Sequence, residues 1–295
     1  MKHTAKEWFE ATRYWSFPVS AMPVIATVAY LAWKGNGINW ICAALALVGN
    51  IVFHFAGNLL SDYWDFKKGV DNERAYAVPN LVFHHFEAEE YLRFSAILFT
   101  VGIIIGIVLT LMTSWTLLII GVIGFILAVS YSFFKFRALG DVFVFVCFGV
   151  LPVLGTSLVT IGQIDWSTLV LSLPLGILTV AVLHDNNTVD IATDKDSGIS
   201  TIPMYLGERK SVVLYIAYII APYLITVIFC LAGLLPYAAL ACLLSVPVAV
   251  KIIKTAYGYF TRGREAMIGL DQRTAQLHLA FSLCLSLGLV AATLF

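Results

Sequence analysis

The chain has 295 residues, of which 60% are hydrophobic and 12% are charged, and its mean hydropathy is +0.89. Soluble domains carry about 25% charged residues, so this composition excludes an ordinary soluble domain and indicates a polytopic membrane protein. The formal net charge is zero, and no clustered basic face or alternation of aromatic and basic residues accompanies it. We therefore expect no nucleic-acid partner.

Nine segments are long and apolar enough to be predicted as transmembrane helices, because a helix needs about 20 apolar residues to cross the hydrocarbon. In chain order the predicted spans are Phe17–Trp33, Ile38–Leu60, Phe94–Met112, Trp115–Phe134, Val142–Ile161, Thr168–Leu183, Val212–Leu231, Leu235–Val250 and Thr274–Phe295. No linker or low-complexity tract separates them. We therefore expect residues 1–295 to form a single all-α transmembrane domain.

The basic residues predict the orientation of these helices. In a nine-span topology, 17 of the 18 lysines and arginines lie on the same side of the membrane as the N-terminus, and Lys34 alone lies on the opposite side. Positive charge collects on cytoplasmic loops, so we expect a cytoplasmic N-terminus and an external C-terminus. Asp165 is the one acidic residue expected outside. The predicted location is the bacterial inner (plasma) membrane, with the working face toward the cytoplasm.

The first polar interruption reads NLLSDYWDFKKGVD and follows the second predicted span directly. Asn58 and Asp62 are four residues apart, and Asp62 and Asp65 are three apart. On a helix all three side chains therefore share one face. Carboxylates are expensive beside hydrocarbon unless they are paired, hydrated or bound to a cation, so this cluster at the mouth of the membrane region indicates a functional site.

The second polar interruption reads DNNTVDIATDKDSG and follows the sixth predicted span. Asn186, Asp190 and Asp194 repeat the four-residue step. Both interruptions are expected on the cytoplasmic side. Two facing clusters of carboxylates and amides are what a protein needs to hold Mg²⁺ and, through it, a diphosphate.

The predicted metal ligands and catalytic residues are accordingly Asp62, Asp65, Asp190 and Asp194. Lysines near the motifs are candidate point charges for the diphosphate, because an ammonium group can complete such a clamp. These candidates are Lys67, Lys68, Lys135 and Lys195. The chain has no G-x-x-x-x-G-K-[ST] segment, so a nucleoside triphosphate is not the expected phosphate source.

Three other interpretations compete with this one. The aspartates could be ordinary loop residues and helix caps, but seven of them occupy two loops of a chain that is poor in charge. A phosphotransferase acting on CDP-alcohols would gather its aspartates in one contiguous segment, whereas here the acids are split between two. A cation-coupled secondary transporter would place acids inside its spans, and no predicted span contains one.

With these motifs, the sequence resembles the UbiA superfamily of intramembrane prenyltransferases. That family has an N-x-x-x-D-x-x-D segment after its second span, which Asn58, Asp62 and Asp65 match. It has a D-x-x-x-D segment after its sixth span, which Asp190 and Asp194 match. The stretch from Tyr131 to Lys135 is similar to the Tyr-x-x-x-Lys loop of the family, and the resemblance covers the whole chain.

Within the superfamily, SDYWDFKKGVD, the paired amides Asn186 and Asn187, and TAQLHL at the start of the last span resemble the 1,4-dihydroxy-2-naphthoate prenyltransferases of menaquinone synthesis. The chain also departs from the family pattern. Val189 stands where an arginine commonly precedes the second motif, and Ile199 and Ser200 replace basic residues.

The resemblance implies nine helices around a central cavity open to the cytoplasmic side. It also implies an Mg²⁺-dependent enzyme that transfers a polyprenyl group from an allylic diphosphate to an aromatic quinone precursor. For a dihydroxynaphthoate acceptor the ring carboxylate would leave as CO₂; 4-hydroxybenzoate is the alternative acceptor. The implied substrate-binding residues are Asn58, Lys67, Lys68, Tyr131, Lys135, Asn186 and Lys195, and the prenyl tail would lie in an apolar tunnel open to lipid.

Overall fold

The protein is described by a computed structural model that covers residues 3–70, 79–135, 137–196, 198 and 200–294, without the side chains of 79 and 132–135. Every element in these ranges is helical. The α-helices are α1 (Ala5–Ala11), α2 (Pro18–Trp33), α3 (Trp40–Lys67), α4 (Pro79–Val82), α5 (Ala88–Met112), α6 (Thr116–Lys135), α7 (Gly140–Phe145), α8 (Leu151–Ile161), α9 (Leu169–Val189), α10 (Ile191–Asp196), α11 (Ile202–Leu206), α12 (Glu208–Leu231), α13 (Val246–Tyr257), α14 (Tyr259–Arg262) and α15 (Leu270–Ala291).

Shorter turns join or extend several of these helices. A π-helical turn, Val146–Val150, links α7 to α8. The 3-10 segments are Tyr14–Ser16, Trp166–Thr168, Tyr237–Ser245, Gly263–Ala266 and Ala292–Leu294. Eight of the resulting helical stretches are long and apolar enough to cross a membrane, and a shorter apolar stretch covers Thr116–Tyr131 within α6. The protein is therefore an integral membrane protein of all-α class.

Each predicted span corresponds to a helix, but several helices extend beyond the predicted ends on the side that carries the motifs. The second predicted span ended at Leu60, whereas α3 continues to Lys67. The third was predicted from Phe94, whereas α5 begins at Ala88. A hydropathy ruler measures hydrocarbon thickness, and a helix can continue past it because its backbone hydrogen bonds are satisfied internally.

The main hydrophobic core lies where α2, α9, α12 and α15 pack together. Leu175, Tyr215 and Phe281, one from each of α9, α12 and α15, are fully buried there. On the other side of the bundle α3 packs along α5. The side chains of α5 and α6 that face outward are large and apolar, as expected for helices in contact with lipid.

The two charges expected outside the membrane meet in the structure. Lys34 Nζ lies 3.6 Å from a carboxylate oxygen of Asp165 and donates to Ser167 Oγ at 3.0 Å. Partial burial raises the pKa of Asp165, but hydrogen bonds from Ser167 and the charge of Lys34 outweigh it and lower that pKa below its ordinary value. The loops after α2 and α8 therefore lie on one face, as the nine-span topology predicts.

Close backbone contact at Gly288 gives a stability prediction. A Cβ added there would lie 2.0 Å from the backbone oxygen of Ala238, in the 3-10 segment that packs on α15. We expect Gly288→Ala to lower the melting temperature in detergent, because the two backbones must separate at a cost of about 1–3 kcal/mol. Gly106→Ala is the matched control, since a Cβ there meets nothing within 4 Å. A Gly288→Ala variant as stable as this control would contradict the packing.

Candidate active site

The first acidic motif lies on the last turns of α3, not in a loop. Asn39 caps the start of this helix by accepting from the backbone N–H of Cys42. The helix then runs for 28 residues and ends at Lys67, before Gly69 turns with φ +70°. Asp62 and Asp65 are 2% and 4% exposed. The helical phase thus directs both carboxylates into the protein.

A ladder of polar side chains on α3 holds the N-terminal segment over this motif. Asn50 donates to the Ser20 backbone oxygen at 2.5 Å, and a ring nitrogen of His54 lies 3.1 Å from Ser20 Oγ. One turn nearer the motif, Asn58 Nδ2 donates to the Thr12 backbone oxygen at 2.9 Å. These positions repeat every four residues and so share one helix face. They fix the start of α2, through Ser20, and the segment before α2, through Thr12, against α3.

Arg13 is the residue that this ladder positions. Its backbone is in the left-handed region at φ +56°, which few non-glycine residues adopt. Its Nη2 donates to Asp62 Oδ1 at 2.5 Å. The first motif is therefore neutralised in part by a guanidinium that lies 49 residues earlier in the chain. Arg13 also lines the main cavity.

The second motif lies at a junction between two helices. Asn186 belongs to α9, Asp190 follows its last residue, and Asp194 belongs to α10. The hydrogen bonds Asp190 N–H to Asn186 O and Asp194 N–H to Asp190 O keep the helical step through the junction. Thr193 Oγ1 donates to the Asp190 backbone oxygen at 3.0 Å. Asp194 is 4% exposed.

Both motifs face one cavity of about 560 Å³. Its polar end is lined by Asn58, Asp65, Tyr131, Asn186, Asp190 and Asp194. Asp62 is not among the lining residues, but it is hydrogen-bonded to Arg13, which does line the cavity. The remaining wall is mainly apolar and is formed by α3, α5, α6, α8 and the turn between α7 and α8. Two segments more than a hundred residues apart thus form one site.

The donor set fits Mg²⁺ that arrives together with a substrate. No group of three or more His, Cys, Asp or Glu side chains in the described residues is close enough to hold a metal ion by itself. Mg²⁺ is usually held by one or two carboxylates together with substrate phosphates and waters, not by an all-protein cage. Asn186 Oδ1 is buried without a hydrogen-bond partner in the described part of the chain, and it belongs to a cavity-lining side chain. Each motif can therefore supply part of a coordination shell that a diphosphate completes.

Three of the four lysines predicted to bind diphosphate have side chains that the structure describes, and these do not line the cavity with the aspartates. Lys67 Nζ pairs with Glu89 at 3.0 Å, and Lys68 Nζ lies 5.7 Å from the centre of the Trp64 ring. Lys195 is exposed, and none of these three lines the cavity. The side chain of Lys135 and all of Asp71 lie outside the described residues. The substrate-binding role of all four lysines stays a prediction.

Sequence reasoning missed two arginines and two acids near the motifs. Arg13 contacts Asp62 and Arg264 contacts Asp190, whereas from the sequence both are expected only to be cytoplasmic charges. Asp185 and Asp271 are 0% and 2% exposed within α9 and α15. Both acids lie in helical turns beyond the predicted spans Thr168–Leu183 and Thr274–Phe295, which themselves contain no acid. No sequence pattern pointed to these contacts, which join distant segments.

Comparison with known proteins shows which family the chain belongs to. A sequence model of the UbiA prenyltransferase family matches residues 21–269. UbiA prenyltransferase domain-containing protein 1 of Mus musculus is 32% identical over 300 residues, which cover 99% of this chain and 86% of the mouse protein. The Homo sapiens protein of the same name is 32% identical over 294 residues, which cover 96% of this chain and 82% of the human protein.

Two solved structures share the fold. The apo structure of a UbiA homologue from Aeropyrum pernix K1 has a TM-score of 0.70 at 17% identity, covering 93% of this chain and 97% of that one. A UbiA homologue from Archaeoglobus fulgidus, solved with DMAPP and Mg²⁺, has a TM-score of 0.57 at 11% identity, covering 94% and 98%. With its two acidic motifs on one cavity and these relatives across nearly its whole length, the chain belongs to the UbiA prenyltransferase family.

Proposed function

We propose that this enzyme transfers a polyprenyl group from an allylic diphosphate to an aromatic quinone precursor in an Mg²⁺-dependent reaction. The observation that carries the proposal is that Asp65, Asp190 and Asp194 line the polar end of one cavity whose other walls are mainly apolar. Such a cavity suits an amphiphile with a diphosphate head and a hydrocarbon tail. The DMAPP and Mg²⁺ bound to the Archaeoglobus fulgidus homologue support this choice of donor class.

The two motifs would hold the metal and the diphosphate between them. Asp62 and Asp65 from α3, and Asp190 and Asp194 from the α9–α10 junction, are the proposed ligands. When bound, Mg²⁺ neutralises the charge that develops on the departing diphosphate. Arg13, beside Asp62, is placed to interact with the same anion, because a guanidinium presents five N–H donors and suits phosphate oxygens.

The reaction exchanges one bond for another at the first carbon of the prenyl chain. The C–O bond to the diphosphate breaks, and its electron pair leaves with the diphosphate. The electron-rich ring then forms a C–C bond to the allylic carbon and loses a proton, or loses its carboxylate as CO₂. The apolar walls of the cavity exclude water that would otherwise capture the allylic cation, and aromatic faces such as that of Tyr131 stabilise positive charge.

The cavity is long enough for an extended tail. Ala46 and Asp65 both line it and are 19 residues apart on α3. At 1.5 Å per residue this is about 28 Å along the helix, close to the thickness of the hydrocarbon. Ile103 on α5 and Val122 on α6 line the cavity and are also more than one-third exposed, which supports a tail site open to lipid.

The acceptor is proposed to be 1,4-dihydroxy-2-naphthoate, with decarboxylation, as in menaquinone synthesis. The support is the resemblance of SDYWDFKKGVD, Asn186–Asn187 and TAQLHL to enzymes that use this acceptor. The names of the mouse and human relatives specify a prenyltransferase domain and no acceptor. 4-Hydroxybenzoate is therefore kept as the alternative.

The proposed topology has nine membrane crossings, one of which is α6, and residues 1–295 form one transmembrane domain. The N-terminus and the mouth of the cavity face the cytoplasm, and the C-terminus lies outside. The asymmetry of the basic residues supports this orientation. The bacterial inner membrane stays a prediction, and the mouse and human relatives are animal proteins.

The test is prenyl transfer by the purified protein in lipid nanodiscs, with Mg²⁺, allylic diphosphates of increasing length and both acceptors. We expect a prenylated ring, one diphosphate released per transfer, and no product when a chelator removes Mg²⁺. With 1,4-dihydroxy-2-naphthoate we also expect one CO₂ per product. If only 4-hydroxybenzoate gave product, the proposed acceptor would be wrong. If no combination of donor and acceptor gave Mg²⁺-dependent diphosphate release, the proposed function would be wrong.

A further inference from the structure

Positive charge reaches the second motif from a distant segment. The residue before Asp190 is Val189, which is 1% exposed and packs in the main hydrophobic core. It therefore supplies no charge to the site. Arg264, 74 residues later in the chain, places Nη2 3.3 Å from Asp190 Oδ1. It belongs to the 3-10 turn Gly263–Ala266 that precedes α15.

The segment that carries Arg264 is fixed at two points across the second motif. At one end the Tyr259 hydroxyl donates to the carboxylate of Glu208, the first residue of α12. At the other end Arg264 contacts Asp190. Gly263, with φ +69°, turns the chain between them. The segment 259–266, called the strap below, is therefore tied to α12 at one end and to Asp190 at the other.

The two partners differ in exposure. The Arg264 side chain is 42% exposed, whereas the Asp190 side chain is 18% exposed and lines the cavity. Arg264 is therefore the more solvent-accessible partner and contacts a residue that belongs to the cavity wall. One of its five N–H donors is used in this contact, which leaves donors for an anion that enters beside Asp190.

We propose that Arg264 is a diphosphate-binding residue, which pairs with Asp190 in the free enzyme and donates to the diphosphate when the donor substrate is bound. Arg13 contacts Asp62 of the first motif as Arg264 contacts Asp190 of the second, so each acidic motif has one arginine from outside it. Arg13 lines the cavity directly, whereas Arg264 adjoins it through Asp190. This inference rests on the proposed function of the site. It adds a residue that compensates for the uncharged Val189.

The test compares Arg264→Gln and Arg264→Lys with Arg262→Gln, a control on the same strap with an exposed side chain. Binding of inorganic pyrophosphate with Mg²⁺ is measured by calorimetry in nanodiscs, and KM for donor and acceptor is measured separately. A charge-assisted hydrogen bond to phosphate is worth enough to change affinity about tenfold or more. We expect Arg264→Gln to weaken pyrophosphate binding and raise the donor KM by about tenfold, with the acceptor KM unchanged.

Arg264→Lys is expected to recover part of the affinity, because it keeps the charge but not the planar fork. Arg262→Gln should match the wild type. Unchanged pyrophosphate binding in Arg264→Gln, or equal changes in the KM of donor and acceptor, would overturn the proposal. Wild-type protein that binds pyrophosphate with Mg²⁺ but transfers no prenyl group would instead overturn the proposed reaction, so the two failures are distinguishable.

Discussion

Replacing Asp194 by Asn is expected to reduce prenyl transfer by at least about 100-fold. Asp194 is buried, lines the cavity and is a proposed Mg²⁺ ligand. Stabilisation of a leaving group by a metal is worth several kcal/mol, and each 1.4 kcal/mol changes a rate tenfold. An amide can occupy the space of the carboxylate but carries no charge. The measurement is the initial rate at saturating donor, acceptor and Mg²⁺.

The same short helix provides the matched control. Asp196 is two residues further along α10, and its side chain is exposed and does not line the cavity. We expect Asp196→Asn to keep the wild-type rate, and both variants to keep the helical circular dichroism of the wild type. An Asp194→Asn enzyme with near-normal turnover would show that the second motif does not hold the metal.

Removing the guanidinium from the first motif should affect stability as well as turnover. Arg13→Ala removes the donor that lies 2.5 Å from the carboxylate of Asp62, which is 2% exposed. Removing one partner of a buried charge pair costs about 3–5 kcal/mol, and the partial exposure of Arg13 places the expected loss toward the lower value. We expect a lower melting temperature together with loss of donor binding.

A second substitution separates the two effects. Adding Asp62→Asn to Arg13→Ala removes the buried charge that Arg13 compensated, so the melting temperature should recover in part while activity stays absent. Lys6→Ala is the control on the same segment, because the Lys6–Glu10 pair is exposed and worth at most about 0.5 kcal/mol. If the double variant were less stable than Arg13→Ala, the charge pair would not be the reason for the loss.

The spans and the two motifs could be predicted from the sequence because both depend on local patterns. Hydropathy located a helix for every predicted span, and the spacing of Asn58, Asp62 and Asp65 predicted the shared face that α3 presents. The ends of the helices could not be predicted as well. A hydropathy window cannot detect the turns of α3 that carry the motif, since these turns lie beyond the apolar run.

The contacts that join the acidic motifs to charged residues of distant segments could not be predicted from the sequence. Arg13 and Arg264 reach the motifs through segments 49 and 74 residues away, which only the packed structure brings together. Helical phase shows only that Lys67, two residues after Asp65, points away from that carboxylate on a helix. Its pairing with Glu89 depends on the packing of α3 along α5.

The central claim is that the two motifs form a single pocket for Mg²⁺ and diphosphate. Its most direct test is the thermal stabilisation of the protein by pyrophosphate with Mg²⁺, compared in wild type, Asp65→Asn, Asp194→Asn and the double variant. A ligand at 100 times its Kd stabilises the folded state by about 2.7 kcal/mol. We expect each single variant to lose this stabilisation, and the double variant to lose no more. Stabilisation that survives the loss of either motif, or that falls by half with each, would show two independent sites and contradict the account.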